Sequence, residues 1–223
     1  MSKKDFIKQS FLGGERRGYH HGRLKDALIE AARSLIAQHG PSGFTLAEAA
    51  KLVGVTPAAP YRHFSDRDAL MGELAKRGFE QFSIRLSAAW DAGRPDPLTA
   101  LRRMGTAYLG FAKEEPGLYS AMFSNAKNLN CDPGVESQKS LDILIGASAV
   151  VLQSFGAPMS GARTLAMDIW TLSHGAAMLM LGGHLDGSNP DCDPHSALMR
   201  GVSAMVEGAV RAGGGRTPDR RPQ

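Results

Sequence analysis

The side chains that could carry chemistry are concentrated between Phe44 and Leu74, where hydroxyl, imidazole and guanidinium groups lie close together in the sequence. A guanidinium such as that of Arg62 can bind a phosphate or a guanine edge through two parallel hydrogen bonds. The first turn of a helix adds free N–H groups and the positive end of the helix dipole, both of which attract an anion. The residue types in this segment therefore favour contact with a polyanion.

Residue patterns typical of enzymes are missing from the sequence. No glycine-rich phosphate loop follows a predicted strand, no Gly-x-Ser-x-Gly elbow is present, and the acidic residues on predicted helices are scattered singly. We therefore expect a binding protein, not an enzyme, and we predict no cofactor.

Helix signals around the candidate residues predict a helix-turn-helix. Thr45 and Glu48 have the spacing of a capping box, in which each side chain accepts a hydrogen bond from the other residue's backbone N–H. Gly54 follows the last apolar position of this helix, where a left-handed cap residue is needed. Thr56 with Pro57 marks the start of a second short helix.

The run from Gly54 to Leu70, GVTPAAPYRHFSDRDAL, resembles the DNA-binding domain of TetR-family transcriptional regulators. The resemblance includes Gly40, Phe44-Thr45-Leu46 and Ala49-Ala50, and it covers about the first quarter to third of the chain. Two positions depart from the commonest family pattern, with Pro60 in place of a Leu and Arg67 in place of a Lys. Further along, Trp170-Thr171-Leu172-Ser173-His174-Gly175 is similar to the Trp-x-x-x-His-Gly signature of one subgroup's ligand-binding domain.

This resemblance implies an all-α protein with a three-helix DNA-binding domain and a larger helical domain for ligand binding and dimerisation. It implies that the helix from Thr56 to Phe64 enters the major groove of operator DNA. The residues predicted to bind DNA are Thr45, Thr56, Pro57, Ala58, Ala59, Tyr61, Arg62, His63 and Arg67. Because Pro60 biases Ala59 away from helical geometry, we expect this helix to begin irregularly.

Charge and cysteine content fit this assignment. Lys and Arg outnumber Asp and Glu by five over residues 1–64, although the whole chain carries only +4. Residues 1–21 are rich in Lys, Arg, His and Gly and are predicted to be a flexible basic arm, which either enters a minor groove or attracts phosphates diffusely.

Cys131 and Cys192 are too few for a disulfide framework. With no signal peptide or membrane span in the sequence, we expect a cytoplasmic protein.

The remainder of the chain is predicted to be helical throughout. Helix 1 is expected from Leu24 to His39, and Ser65 with Asp68 marks the start of the helix after the helix-turn-helix. Later starts are marked by Asp96-Pro97, Asp132-Pro133 and Asp193-Pro194. The predicted helices are 66–91, 97–114, 117–124, 134–155, 160–184 and 194–212. The predicted domains are the arm (1–21), the DNA-binding domain (22–66), the ligand-binding and dimerisation domain (67–212) and a disordered tail (213–223).

A mostly apolar effector pocket is predicted in the larger domain. The residues predicted to bind the ligand are Tyr108, Phe111, Met122, Trp170, His174 and Met178, and the small-molecule effector is expected to be mostly apolar because charges are scarce there. The alternative for each apolar residue is an ordinary core position. His174 is either a pocket donor or a buried structural hydrogen-bonding group.

Helices 160–184 and 194–212 are predicted to form the homodimer interface as a four-helix bundle. Ala197, Gly201, Ala204 and Gly208 form a stripe of small residues that would let another helix approach closely. The same stripe could instead face the chain's own body.

The sequence predicts a ligand-responsive regulator that represses by binding operator DNA as a homodimer and is released by its effector. One alternative is a DNA-binding protein without a small-molecule effector. Another is a metal or redox sensor that uses Asp191, Cys192, Asp193 and His195, although no metal site is predicted because Asp193-Pro194 reads as a helix cap.

Overall fold

The computed structural model describes residues 21–124 and 134–216, and within these ranges the chain is helical with no strand. The helices are α1 (His21–His39), α2 (Leu46–Val53), α3 (Arg67–Trp90), α4 (Pro97–Glu114), α5 (Pro116–Phe123), α6 (Gly134–Ser154), α7 (Ala162–Leu181) and α8 (Pro194–Ala212). Short 3₁₀ helices occur at Ala59–Arg62, Asp91–Gly93 and Met159–Gly161. The predicted all-α class is confirmed.

Several predictions concern residues outside the described ranges. These are the basic arm up to residue 20, Cys131, the Asp132-Pro133 cap and the tail from residue 217 onwards. Residues 213–216 were predicted to be disordered. They instead lie against the loop after α6, where the Arg216 N–H donates to the Phe155 carbonyl oxygen at 2.8 Å.

The chain divides into two compact units. One comprises Met1–Gly78 with Glu115–Leu129, and the other comprises Phe79–Glu114 with Asn130–Gln223. The first unit therefore includes α5, which comes later in the sequence and packs against α1. The domain boundary predicted after residue 66 stays a prediction.

The first unit is held together by apolar faces of α1, α2, α3 and α5. Leu28, Ile36, Leu70, Leu74 and Tyr119 are almost completely buried in it. Helices α1 and α5 approach closely, since a Cβ atom on Gly117 would lie 2.3 Å from the Arg33 carbonyl oxygen. Arg33 also forms an ion pair with Glu115 just before α5.

The second unit packs α4 against α6, α7 and α8, and α7 against α8. Glycines permit two of these close approaches. A Cβ atom on Gly105 would lie 2.9 Å from Met199 Cε, and one on Gly201 would lie 2.3 Å from Leu172 Cδ2. Gly201 therefore faces α7 of its own chain, so the small-residue stripe predicted for the dimer interface is wrong at this position. Ala204 and Gly208 are exposed.

Side-chain caps fix most helix starts as predicted. Asp96 and Asp193 accept hydrogen bonds from the N–H groups of Thr99 and Ser196, at 2.9 and 2.7 Å. The start of α3 differs, because Asp66, and not Ser65, accepts from the Ala69 N–H at 2.8 Å. The predicted capping pattern was one residue out of register.

Thr45 and Glu48 form the predicted capping box at the start of α2. Thr45 Oγ1 accepts from the Glu48 N–H at 3.2 Å, and Glu48 Oε2 accepts from the Thr45 N–H at 2.8 Å. Gly54 ends the helix with φ of 79°, a left-handed conformation that suits glycine.

We predict that Thr45→Ala lowers the free energy of unfolding by about 1 kcal/mol, because two N–H groups of the first turn lose their partners. Thr45→Ser keeps the hydroxyl and should stay within a few tenths of a kcal/mol of the original chain. Urea unfolding of both variants measures the difference. Equal losses would show that the methyl group of Thr45, not the cap, stabilises α2.

Candidate functional site

The segment predicted to bind DNA, residues 56–63, is not the α-helix that the sequence indicated. Only Ala59–Arg62 is helical, and it is a single 3₁₀ turn. The Ala59 N–H donates to the Thr56 carbonyl oxygen at 3.0 Å, and the Pro60 carbonyl oxygen accepts from His63 and Phe64 at 2.9 and 3.0 Å. Pro60 has no N–H to donate, which explains why the regular helical ladder does not form here.

Thr56 does not cap this segment with its side chain. The residue before the 3₁₀ turn is Ala58, which has no side-chain acceptor. The predicted cap at Thr56 is therefore wrong, while the irregular start expected from Pro60 is confirmed.

The segment nevertheless presents a polar surface. Tyr61 is 61% exposed, and Thr56 and Arg62 are exposed on the same segment. Pro57 and Ala58 are also exposed, whereas Ala59 and His63 are half-buried. The hydroxyl of Thr45 is exposed but is held in the capping box. The surface offers two hydroxyl groups and a guanidinium to a polyanion.

Arg67 is occupied by contacts within its own unit. Its Nη2 donates to the Pro41 carbonyl oxygen, and its Nε donates to the Phe44 carbonyl oxygen at 3.2 Å. Its Nη1 lies 3.4 Å from Asp68 Oδ1, and the guanidinium stacks 4.9 Å from the centre of the Phe44 ring. Arg67 thus ties the start of α3 to the loop between α1 and α2. The DNA-binding role predicted for Arg67 stays a prediction, and a DNA contact would have to compete with these carbonyl partners.

The second unit contains a small, partly open apolar cavity of about 30 Å³. It is lined by side chains of α3, α4, α6 and α7, namely Phe82, Leu86, Leu101, Met104, Gly105, Tyr108, Ser140, Leu141, Leu144, Ile169, Trp170 and Ser173. A volume of this size holds about two water molecules. It leaves no room for a larger ligand unless the surrounding helices move apart.

Polar groups at this cavity already have partners. Ser140 shares a 2.7 Å hydrogen bond with Ser83, and Ser173 Oγ donates to the Ile169 carbonyl oxygen at 2.7 Å. The ring of Tyr108 packs edge-on against Phe82, with 5.0 Å between the ring centres. The lining therefore offers mainly apolar contact.

Two of the six residues predicted to bind a ligand, Tyr108 and Trp170, line this cavity. Phe111 is fully buried next to Phe82 but does not line it. Met122 belongs to the first unit, where it packs against Gly78. His174 is half-buried outside the lining, and Met178 is 51% exposed. Helical spacing put residues 170, 174 and 178 on one face, but that face turns from the cavity to the surface along α7.

Burial lowers the pKa of His174 below its ordinary value, because removal from water disfavours the imidazolium. His174 is thus biased towards the neutral form in the folded chain.

Among the described residues, no group of three or more His, Cys, Asp and Glu side chains is placed to hold a metal ion. Cys192 Sγ accepts from Asn189 at 3.3 Å, Asp193 caps α8, and His195 Nε2 lies 2.7 Å from Thr106 Oγ1. Three of the four candidate metal ligands therefore have different hydrogen-bond partners. In the same part of the chain, no helix is both long and apolar enough to cross a membrane.

Family models match both units. Residues 28–74 match the model for bacterial regulatory proteins of the tetR family. Residues 101–213, just over half of the 223-residue chain, match the model for the tetracyclin repressor-like C-terminal domain. The chain belongs to the TetR family. This family is one of transcriptional regulators.

Individual relatives agree with this family assignment. The chain is 30% identical over 100 residues to the HTH-type transcriptional regulator YobS of Bacillus subtilis, and 32% identical over 111 residues to the nucleoid occlusion factor SlmA of Vibrio cholerae. These matches cover 45% and 47% of the chain and 51% and 56% of the relatives. The chain thus spans about half the length of these curated relatives. A solved structure from Rhodococcus sp. RHA1 is 26% identical with a TM-score of 0.73, covering 87% of this chain and 100% of that one.

We predict that Arg62 and Arg67 affect DNA binding differently. Arg62→Ala removes an exposed cation and should reduce the log-log slope of affinity against salt by about 0.9 if Arg62 contacts a phosphate. Arg67→Ala should leave the slope nearly unchanged but lower the free energy of unfolding by about 1 to 3 kcal/mol, because two carbonyl groups lose a charged donor.

Arg67→Lys keeps the positive charge but removes the planar guanidinium. An ammonium group cannot bridge both carbonyl groups as the guanidinium does. The Arg67→Lys variant should therefore also have a lower free energy of unfolding. Salt titrations of operator binding and urea unfolding measure both effects, and a flattened slope for Arg67→Ala at unchanged stability would place Arg67 on phosphate after all.

We predict that His174 contributes to acid sensitivity. The unfolded chain keeps the ordinary histidine pKa near about 6.5 and so binds more protons than the folded chain as the pH falls through that value. The stability should therefore be full at neutral pH and decline below about pH 6.5, and His174→Gln should lessen this decline. His184→Gln, at an exposed position, is the control. Unfolding measured between pH 5 and 8 gives the comparison, and identical profiles for the two variants would contradict the assignment.

Proposed function

We propose that this regulator is a repressor that binds operator DNA as a homodimer and is released by a small, mostly apolar effector. The observation that carries the proposal is the small apolar cavity in a unit attached to the segment proposed to bind DNA. A cavity with few polar groups is the usual form of a small-molecule site. Trp170 at this cavity and His174 one turn later also support assignment to the Trp-x-x-x-His-Gly subgroup.

The DNA contacts in this proposal come from the exposed part of residues 56–63. Thr56 and Tyr61 would bind phosphate through their hydroxyls, and Arg62 would bind a phosphate or a base edge. Pro57, Ala58 and Ala59 would make apolar contacts, with His63 and Thr45 at the margins. Because few of these groups can distinguish bases, the choice of operator would rest partly on DNA shape.

Helix α3 supplies a physical link between effector and operator. Its Phe82 and Leu86 line the cavity. Earlier on the same helix, Glu73 pairs with Lys25 of α1 at 3.5 Å, and Arg77 donates to Asp26 of α1 at 2.6 Å. An effector that prefers one position of α3 would shift the population of conformations at α1 as well.

The size of the cavity favours one rival function, a DNA-binding regulator without a small-molecule effector. At about 30 Å³ the cavity admits no more than about two water-sized groups. Effector binding in the proposal therefore requires α4, α6 and α7 to separate, with a cost in packing that the ligand contacts must offset. The experiment below decides between the two functions.

We predict that indole, used as a small apolar probe, stabilises the protein and releases it from DNA. At ten times its dissociation constant it should raise Tm by about 3 to 6 °C. Leu144→Phe fills the cavity and should abolish both effects, while Ile143→Phe on the same helix, where the side chain does not line the cavity, should retain them.

Thermal-shift measurements and operator-binding assays on both variants provide the readouts. If indole and a panel of other small apolar compounds neither stabilise the protein nor release DNA, the regulator without an effector is supported. An effect that survives in Leu144→Phe would place the effector site elsewhere.

We further propose that α7 and α8 form the homodimer interface. These helices pack against each other, and α7 leaves Met167, Met178 and Leu179 between 40% and 51% exposed. Exposed apolar side chains on α7, next to the exposed Gly208 of α8, suit a second pair of helices.

We predict that Leu179→Arg converts the dimer to a monomer, because a charge buried without a partner opposes association. Ile84→Arg introduces the same charge at an apolar side chain that is 68% exposed on α3 and should leave the dimer intact. Light scattering over a range of concentrations measures the mass. A Leu179→Arg protein that remains a folded dimer would remove this face from the interface.

A further inference from the structure

A second depression in the unit formed by α4, α6, α7 and α8 has a different chemical character from the cavity. It is an open groove of about 760 Å³ between α4 and α8. Its lining is rich in arginine and hydroxyl groups, including Arg102 and Thr106 of α4 and His195, Arg200 and Ser203 of α8.

Two hydrogen bonds across the groove hold its walls in place. Thr106 Oγ1 and His195 Nε2 are 2.7 Å apart, and Arg102 Nη2 donates to Ser203 Oγ at 3.0 Å. Ser203 in turn donates to the Met199 carbonyl oxygen at 2.9 Å, which leaves its lone pairs directed to Arg102. The polar groups are therefore arranged before any ligand arrives.

The groove carries excess positive charge. Arg102, Arg103 and Arg200 line it, against one carboxylate, Glu207, which lies 3.6 Å from Arg211. Arg103 is directed away, since its Nε donates to the Ala89 carbonyl oxygen at 2.5 Å. Arg102 and Arg200 are exposed, and Arg102 donates across the groove to Ser203.

One more carboxylate, that of Asp96, interacts electrostatically with Arg102 of the groove. Asp96, the cap of α4, has a pKa below its ordinary value chiefly because it accepts hydrogen bonds from Thr99, with a smaller contribution from the charge of Arg102. Asp96 does not line the groove. Its hydrogen bonds to Thr99 hold its charge at the first turn of α4, so the balance inside the groove stays positive.

We propose that this groove binds a small organic anion, with a carboxylate or phosphate group held by the guanidinium groups of Arg102 and Arg200 and by His195. Arginine suits this role because its planar fork matches both groups, and charge-assisted hydrogen bonds are stronger than neutral ones. The site goes beyond the proposed effector cavity and does not depend on it.

Helix α4 carries both sites on different faces. Leu101, Met104 and Tyr108 line the cavity, whereas Arg102 and Thr106 line the groove. An anion that bridges α4 and α8 would therefore restrain the same helix that an apolar effector must move. If one ligand changes the affinity for the other, the change is reciprocal.

The test is calorimetric titration of the full chain with citrate and, separately, with inorganic phosphate at low ionic strength, where exposed charges are least screened. The two probes distinguish carboxylate from phosphate recognition. Saturable binding of at least one probe is expected. Arg200→Gln should weaken it about tenfold or more, and Arg102→Gln with Arg200→Gln should weaken it further.

The control is Lys139→Gln with Arg163→Gln, which removes the same charge at exposed positions outside the groove. It should leave affinity within about twofold. Equal weakening in both double variants would indicate diffuse attraction to net charge and overturn the proposal. So would undiminished binding in the groove variants, which would place the anion elsewhere, or no saturable binding of either probe. If the double groove variant does not fold, Arg200→Gln alone decides, because Arg200 is exposed on α8.

Discussion

The fold depends on one helix that has to satisfy two hydrophobic cores. In α3, Leu70 and Leu74 are fully buried in the unit that includes α1, while Phe82 and Leu86 are buried in the unit that includes α4. Each such side chain contributes about 1.5 to 3 kcal/mol on burial. A change in the packing of either core therefore also changes the free energy of α3.

Most of the fold could be predicted because helix boundaries are set by local chemistry. Asp96, Asp193 and the Thr45–Glu48 pair cap their helices as the sequence indicates, since a cap needs only residues within one turn. The exceptions are also local in origin. Asp66 competes with Ser65 for the same N–H groups and caps α3, and the buried Pro60 replaces a predicted α-helix with a 3₁₀ turn.

The candidate sites were less predictable because they depend on contacts between distant segments. Ser83 pairs with Ser140, 57 residues away, and Arg67 reaches Pro41 and Phe44. No spacing rule reveals such partners. Trp170, His174 and Met178 illustrate this difference. The helical period of 3.6 residues places all three on one face of α7. The packing of the neighbouring helices, which the spacing does not reveal, leaves only Trp170 at the cavity. The groove between α4 and α8 joins residues about ninety positions apart and has no sequence signature.

The 3₁₀ turn at Ala59–Arg62 has a consequence for deducing operators from related regulators. A 3₁₀ helix rises about 2.0 Å and turns about 120° per residue, against about 1.5 Å and 100° in an α-helix. Over the three steps from Ala59 to Arg62, the two geometries differ by about 1.5 Å in height and about 60° in direction. If Arg62 binds DNA as proposed, a residue-to-base correspondence that assumes an α-helix at residues 59–62 would therefore place its side chain wrongly on the duplex. The operator of this chain has to be determined with its own backbone geometry.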